Sequence, residues 1–224
     1  PEHWFGTDRQ TRDVFSRVLV ASQVSLSVGF VSVVLIMVIG VTLGAIAGSS
    51  GGAVDDLIMR FTDIVLAIPQ LFLVIAAAAL FTPSLTTTML VIGLTSWMST
   101  ARLVRGEFLR TRTLDFVLAA RALGAPAWRI MLRHLLPQAV AVIIVQATLW
   151  LSTAVLLEST LSFLGLGAQP PTPSWGGMLA DGRVDMQRAW WETVFPGAAI
   201  FITVLAFNLV GDGLRDALDP RRSN

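Results

Sequence analysis

Residues 22–47 read SQVSLSVGFVSVVLIMVIGVTLGAIA, and this stretch decides the fold of the chain. No charged side chain occurs between Arg17 and Asp55, a stretch far longer than the roughly 20 residues with which a helix crosses a bilayer. Glycines at positions 40, 44 and 48 form two overlapping G-x-x-x-G steps, which let a neighbouring helix approach closely. The stretch therefore predicts a transmembrane helix buried in a bundle of helices.

Four more apolar stretches, at residues 57–80, 85–101, 137–157 and 193–210, are each close to the length of one span. Pro69 is expected to kink the first of them, and Pro137 suits the first turn of the third. Only 14% of the 224 residues are charged, against about 25% in a typical soluble domain. These features predict an all-α, polytopic membrane helix bundle with five spans. The alternative, a soluble all-α protein with buried helices, is disfavoured.

Cysteine and lysine are both missing from the sequence, and their absence excludes several kinds of chemistry. The chain has no cysteine, which excludes disulfides, Cys-ligated zinc and thiolate catalysis. All 16 basic residues are arginines, so the lysine with which a Walker A loop holds nucleotide phosphates is missing. We therefore expect no catalytic residue, no metal and no cofactor in this chain. If ATP drives its work, another polypeptide hydrolyses it.

The arginines are unevenly distributed among the segments that connect the predicted spans. Eleven of the 16 lie in the 102–136 loop, in the C-terminal tail or at the start of the second span. The positive-inside rule therefore predicts that the 102–136 loop and the tail at residues 213–224 are cytoplasmic, rather than that the chain binds nucleic acid. With five spans, residues 1–21 and the 165–191 loop are extracytoplasmic. Three arginines in an exported N-terminal segment, and Pro1 as first residue, favour a sixth span ahead of it.

The cytoplasmic loop reads LDFVLAARALGAPAWRIMLRHLLP at residues 114–137. Residues 116–123 are helix formers, Gly124 is suited to end that helix, and Pro126 can be the first residue of a second one. The second helix is predicted to carry an apolar stripe of Trp128, Met131, Leu132 and Leu135. Such a hairpin either docks into a groove on a partner protein or rests on anionic lipid, and the pattern alone favours neither.

Four motifs in this sequence resemble one transporter family. AA at residues 119–120, G at 124 and LP at 136–137 have the spacing of the EAA loop of binding-protein-dependent ABC importer permeases. The other motifs are FGTD at 5–8 with RD at 12–13, LSFLGLG at 161–167 with QPPTPSWG at 169–176, and NLVGDGLRDALDP at 208–220. Together they cover nearly the whole chain, which resembles the C-type permease subunit of dipeptide, oligopeptide and nickel importers.

The resemblance implies a fold, a set of partners and a role for the cytoplasmic loop. Residues 22–212 would form a type I ABC importer transmembrane domain in the inner membrane. The EAA-like loop would form the coupling helix that contacts an ATP-binding subunit. The residues that match this role are Ala119, Ala120, Gly124, Arg129, Leu136 and Pro137. The implied partners are a second, B-type permease subunit, two ATP-binding subunits that hold ATP and Mg²⁺, and a substrate-binding protein that meets the 165–191 loop.

The sequence departs from the family pattern at two positions that bear on function. Leu118 stands where the loop of the family has a glutamate, which removes one acidic contact to the ATP-binding subunit. Thr11 stands where the first motif usually has a glycine. The family also has one more helix ahead of residue 5, in agreement with the expectation of a sixth span.

Glu158, late in the fourth predicted span, is the ionisable residue expected to matter most within the spans. Such a residue is a candidate for lining or gating a translocation path, although it could equally lie at headgroup level without a role. The spans lack the His, Lys or Cys that an intramembrane enzyme would need. They show no repeat and no further ionisable candidate of the kind that a secondary transporter or channel would need. An importer of di- or oligopeptides is therefore the leading hypothesis, with nickel complexes or glutathione as alternative substrates.

Overall fold

The structure, a computed structural model, describes residues 3–218, which form a bundle of helices. The first five are α1 (Val14–Ser50), α2 (Gly52–Leu66), α3 (Gln70–Ala79), α4 (Leu85–Thr95) and α5 (Met98–Thr111). The next five are α6 (Asp115–Ala122), α7 (Ala127–Ile130), α8 (Leu136–Phe163), α9 (Trp175–Gly182) and α10 (Trp191–Leu218). A π-helical turn, Met131–Leu135, joins α7 to α8, and a 3₁₀ turn, Arg183–Asp185, follows α9.

The first helix is longer than the predicted span at both ends. It begins at Val14 because Asp13 caps it: the side chain accepts a hydrogen bond from the backbone N–H of Ser16 at 2.8 Å. It ends at Ser50, because the next residue, Gly51, has a φ of 66° and a ψ of −173°, a backbone conformation that is essentially restricted to glycine. The apolar stretch thus lies within a single helix of 37 residues.

The glycine steps of α1 pack against α5, as the spacing predicts. A Cβ on Gly40 would lie 2.7 Å from the Thr100 Cβ, and one on Gly48 would lie 2.6 Å from the Phe108 Cβ. A Cβ on Gly44 would lie 2.9 Å from the Val104 Cβ and still closer to a backbone carbonyl of α5. Residue numbers rise together along both helices, so α1 and α5 are parallel and their backbones are in contact.

The prediction of five spans is not confirmed. Among the described residues, three helical units are long and apolar enough to cross a membrane: α1, the continuous unit Ala127–Phe163, and α10. The helices α2 and α3 meet at 85° and make a fourth span only if a bent pair counts as one. Pro69 precedes α3 and cannot donate a helical hydrogen bond. The predicted span at 85–101 is also interrupted, because Ser96 has a φ of −124° and a ψ of 1°.

The core lies where α1 meets α3, α4, α5 and α8. Ile36, Val74, Ile92 and Leu161 are fully buried there and belong to one cluster. Large apolar side chains are also exposed on the outside of the bundle, including Leu57 at 72%. An all-α bundle with an apolar exterior is the architecture of a membrane protein, because lipid replaces the polar coat of a soluble domain.

Candidate functional site

A helical hairpin, made of α6, Gly124 and α7, lies between α5 and α8. The backbone N–H of Ala125 donates to the Ala120 carbonyl at 3.1 Å, and that of Gly124 to the Arg121 carbonyl at 3.0 Å. This bonding pattern is a Schellman motif, and it places Gly124 at a φ of 79°. The predicted helix–glycine–helix arrangement is present. Pro126 lies just before α7 as its N-cap and not, as predicted, at its first position.

The hairpin is held to the bundle by three buried side chains. Val117 of α6, Ile130 of α7 and Leu135 of the π-helical turn are each at most 5% exposed. They pack in one cluster with Phe108 of α5 and Ala139 of α8. Because the cluster fills the space between both connected helices, the hairpin has a fixed orientation relative to α5 and α8.

The residues of the predicted apolar stripe along the second helix differ in their exposure. Leu135 is buried and Met131 packs against the same cluster, whereas Trp128 and Leu132 are 60% and 51% exposed. The π-helical turn explains the difference, because the Leu136 N–H bonds to the carbonyl five residues earlier and shifts the faces of the helix. The exposed large and charged side chains of the hairpin and of the π-helical turn are Phe116, Leu118, Leu123, Trp128, Leu132, Asp115, Arg121, Arg129 and Arg133.

The residues expected to contact an ATP-binding subunit fall into two groups. Ala119, Gly124 and Arg129 are exposed on the hairpin, and Ala120 is half-buried beside them. The Arg129 guanidinium lies 5.8 Å from the centre of the Trp128 ring, within reach of a cation–π contact. Two further residues, at positions 136 and 137, begin α8 at the base of the hairpin, the first of them partly buried in the cluster.

Two ion pairs beside the hairpin were not foreseen from the sequence. Arg105 of α5 donates to the Asp55 carboxylate through two nitrogens, one of them at 2.7 Å. Arg102 donates to Asp63 at 2.5 Å. The partners are 50 and 39 residues apart, so no local spacing signals them. Together they fasten α2 to the helix that leads into the hairpin.

Glu158 lies near the opposite end of α8 and is fully buried. The Ser162 hydroxyl donates to its Oε1 at 2.7 Å, and the Ser159 hydroxyl to its Oε2 at 3.4 Å. The hydroxyls of Ser25 and Ser174 also contact this carboxyl. The i, i+4 spacing of Ser162 could have signalled its contact. Ser159 is the adjacent residue, and the other two serines lie outside α8, so no helical spacing signals them.

The FGTD motif folds over the start of α10, at the same end of the bundle. A Cβ on Gly6, which has a φ of 75°, would lie 2.8 Å from the indole nitrogen of Trp191. That nitrogen donates to the Thr7 carbonyl at 3.1 Å. Arg9 donates to Asp185 at 2.6 Å and so connects the N-terminal segment to the 3₁₀ turn after α9.

The arginines of this N-terminal segment are paired with carboxylates. Burial raises the pKa of Asp8, but hydrogen bonds from Arg12 and Arg17 outweigh this effect and hold the pKa below its ordinary value. The hydrogen bond from Arg9 likewise lowers the pKa of Asp185. Arg12 and Arg17 share the Asp8 carboxylate, and Arg17 also lies 3.8 Å from Asp181. Three of the five arginines at this end of the bundle are therefore paired with carboxylates.

Thr11 has a φ of 58°, a conformation that costs an L residue roughly 1–2 kcal/mol and costs glycine almost nothing. We expect Thr11→Gly to raise the free energy of unfolding by roughly 0.5–1 kcal/mol, because relief of strain exceeds the added chain entropy. Gln10→Gly is the matched control, since its φ is not positive, and it should lower stability. Thermal unfolding in detergent measures both. Equal losses in the two variants would contradict the expectation.

The comparisons with known proteins agree with these features. The profile of the family described as "Binding-protein-dependent transport system inner membrane component" matches residues 40–224. The chain is 48% identical over 220 residues to the dipeptide transport system permease protein DppC of Alkalihalophilus pseudofirmus, covering 98% of this chain and 72% of that protein. It is also 48% identical to the glutathione transport system permease protein GsiD of Escherichia coli, covering 98% and 73%.

A solved structure shows the same fold. An inward-facing conformation of the MetNI methionine ABC transporter superposes with a TM-score of 0.76 at 18% identity. The superposition covers 95% of this chain and 100% of that one. Similarity at this identity extends to the arrangement of helices and not to the transported molecule.

Proposed function

Since the chain belongs to the family of binding-protein-dependent transport system inner membrane components, we propose that it forms half of the path through which an ATP-driven importer carries di- or oligopeptides. The family consists of membrane permease subunits and not of catalytic enzymes. One observation most directly supports the proposal that a separate ATP-binding subunit drives this permease. The hairpin is anchored at its base and exposes apolar and arginine side chains, a form that fits a cleft on another protein.

In this proposal the hairpin transmits movement between an ATP-binding subunit and the bundle. Ala119, Ala120, Gly124 and Arg129 contact the partner, and Leu136 and Pro137 connect the hairpin to α8. The buried cluster at the base supports this role, because a hairpin that cannot rotate by itself passes a displacement on to the helices it joins. Leu118, 47% exposed, replaces an acidic contact with an apolar one.

The hairpin end of the bundle faces the cytoplasm in this proposal. Seven arginines lie in the 102–136 loop, and the positive-inside rule assigns such a loop to the cytoplasm. The opposite end has five arginines, but those at positions 9, 12 and 17 are paired with carboxylates. Local pairing supports an exported location for residues 1–21 and the 165–191 loop. The tail at 213–224 is cytoplasmic, and its residues 219–224 lie outside the described part.

The partners follow from the same proposal. Two ATP-binding subunits hold ATP and Mg²⁺, because this chain has no lysine for a Walker A loop. A second, B-type permease subunit forms the other half of the path, and an extracytoplasmic binding protein delivers the substrate. We propose peptides as that substrate because the similar proteins transport dipeptides and glutathione, which is itself a short peptide. Nickel complexes remain the alternative.

The test is uptake by the assembled importer in lipid vesicles. We expect ATP-dependent uptake of a labelled dipeptide, and we expect nickel chelates to inhibit this uptake only weakly. Because the chain has no cysteine, Leu123→Cys, at the 89% exposed turn of the hairpin, provides a unique cross-linking site. It should cross-link to an ATP-binding subunit, whereas Val184→Cys at the other end should not. Absence of ATP-dependent dipeptide uptake, or equal cross-linking from both positions, would refute the proposal.

A further inference from the structure

The carboxyl of Glu158 lies where three elements meet. Its hydroxyl neighbours are Ser25 from α1, Ser159 and Ser162 from α8, and Ser174 immediately before α9. All four serines are at most 6% exposed. A buried carboxyl is tolerated only when donors surround it, so the hydrogen-bonded network favours one relative arrangement of the elements that supply the donors.

Three of these serines also accept hydrogen bonds from the backbone of residues 164–177, which follow α8 and are here called the outer segment. The N–H of Ala168 donates to Ser162 at 3.2 Å, that of Trp175 to Ser25 at 3.3 Å, and that of Gly177 to Ser174 at 3.2 Å. A serine hydroxyl can accept such a bond and still donate its own proton to Glu158. The carboxyl is therefore connected through the Ser162 hydroxyl to the backbone of Ala168, and it lies beside the two hydroxyls that bind the backbone of Trp175 and Gly177.

Two glycines bring the same segment into direct contact with α8. A Cβ on Gly167 would lie 2.8 Å from the Ser162 backbone nitrogen and still closer to its hydroxyl. A Cβ on Gly176 would lie 2.7 Å from the Ser159 Cα and still closer to its carbonyl oxygen. The LSFLGLG and QPPTPSWG motifs thus fold around one buried carboxyl, and at these two glycines there is no room for a side chain.

We infer that Glu158 is a positioning residue, which fixes α9 to α1 and α8 so that the outer segment and the two helices move as one body. The carboxyl is enclosed within this chain and acts through the serines, without contacting the transported molecule. A displacement of α9 by the binding protein therefore reaches α1 and α8 directly. This last statement rests on the proposed function, whereas the mechanical connection does not.

The connection is tested with a pair of spin labels in the assembled importer in lipid vesicles, without nucleotide. Thr172→Cys before α9 and Gln23→Cys on α1 are both exposed and provide the two labelling sites in a chain without cysteine. With Glu158 present we expect one narrow distribution of distances. Glu158→Ala should broaden it roughly twofold, because the serines lose their common acceptor. Glu158→Gln keeps the shape and one acceptor oxygen, and should preserve the narrow distribution.

Two serine variants separate this role from a general loss of folding. Ser25→Ala removes one contact with the carboxyl and should broaden the distribution. Ser32→Ala is the matched control, since Ser32 is equally buried on the same helix but donates to the Met89 carbonyl. If the Glu158→Ala importer does not assemble, the distance distribution of the Ser25→Ala variant tests the inference in its place. A narrow distribution in Ser25→Ala, or equal broadening in Ser32→Ala, would overturn the inference.

A second measurement tests the transmission of movement. We expect Glu158→Ala to reduce the stimulation of ATP hydrolysis by the peptide-loaded binding protein about fivefold, the lower end of typical couplings between sites, and Glu158→Gln to restore it. Unchanged stimulation in a Glu158→Ala importer with a broadened distance distribution would overturn the statement on transmission. Failure of the unmodified importer to respond to ATP would instead refute the proposed function, and the label distances would stand.

Discussion

Gly124→Leu is expected to reduce ATP-driven peptide uptake by roughly tenfold or more while the protein still inserts into the membrane. Gly124 has a φ of 79°, which costs an L residue about 1–2 kcal/mol, so the substitution opposes the Schellman turn between α6 and α7. Apart from its chain neighbours, no atom of the described residues lies within 4 Å of a Cβ at this position, so the effect is expected from backbone strain and not from a clash. The leucine would also enter the proposed contact with the ATP-binding subunit. Uptake and ATP hydrolysis are measured together in vesicles.

Gly106→Leu is the matched control for this prediction. Gly106 is exposed on α5, has no positive φ, and also has open space around its Cβ position. Leucine is a better helix former than glycine by up to about 1 kcal/mol, so transport should persist. Gly124→Asn is a further variant to compare. Asparagine tolerates the left-handed region, so this variant should retain more uptake than Gly124→Leu. Normal uptake in Gly124→Leu would contradict the role assigned to the hairpin.

Gly44→Ala should lower the free energy of unfolding by about 3 kcal/mol. The added carbon would lie 2.9 Å from the Val104 Cβ, 3.0 Å from the Ala101 Cα, and closer still to the Ala101 carbonyl. Backbone atoms cannot rotate away as the end of a flexible side chain can, so α1 and α5 must separate. Thermal unfolding in detergent measures the loss.

Gly106→Ala serves as the control for this second prediction, since it adds the same methyl group to the helix that faces Gly44. It should stabilise slightly, through helix propensity alone. If the two alanine variants unfold at the same temperature, the close contact between α1 and α5 described here does not contribute to stability.

The long apolar stretches and the glycine steps are the part of the fold that the sequence predicts well. Residues 22–47 lie within one helix, and Gly40, Gly44 and Gly48 do meet a neighbouring backbone. Both features depend on local composition and on helical spacing, which a single sequence displays directly. The hairpin around Gly124 is predictable for the same reason, because its helix-stopping residue is part of the motif.

The sequence predicts the kink at Pro69, but the size of that kink, the π-helical turn before α8 and the partners of the buried charges could not be predicted. The 85° bend at Pro69 and the π-helical turn before α8 are set by packing, and the sequence shows only where a helix is weakened. Asp55 pairs with Arg105, which is 50 residues away in the sequence. Glu158 lies beside Ser25, which is more than a hundred residues away. Contacts between residues so far apart leave no periodic pattern in the sequence. The hydrogen-bonded network around Glu158 can therefore be recognised only from the structure.

The length of α1 has a consequence for how the two surfaces of the membrane communicate. At 37 residues this helix is about 55 Å long, whereas the hydrocarbon core of a bilayer is about 30 Å thick. The helix must therefore be strongly tilted or extend beyond the hydrocarbon core on both sides. Ser25 and Gly44 are separated along it by ~28 Å, nearly the thickness of that core. This one helix packs closely against α5 near one surface of the membrane and lies beside Glu158 near the other. A movement of α1 at one surface is therefore expected to displace it at the opposite surface as well.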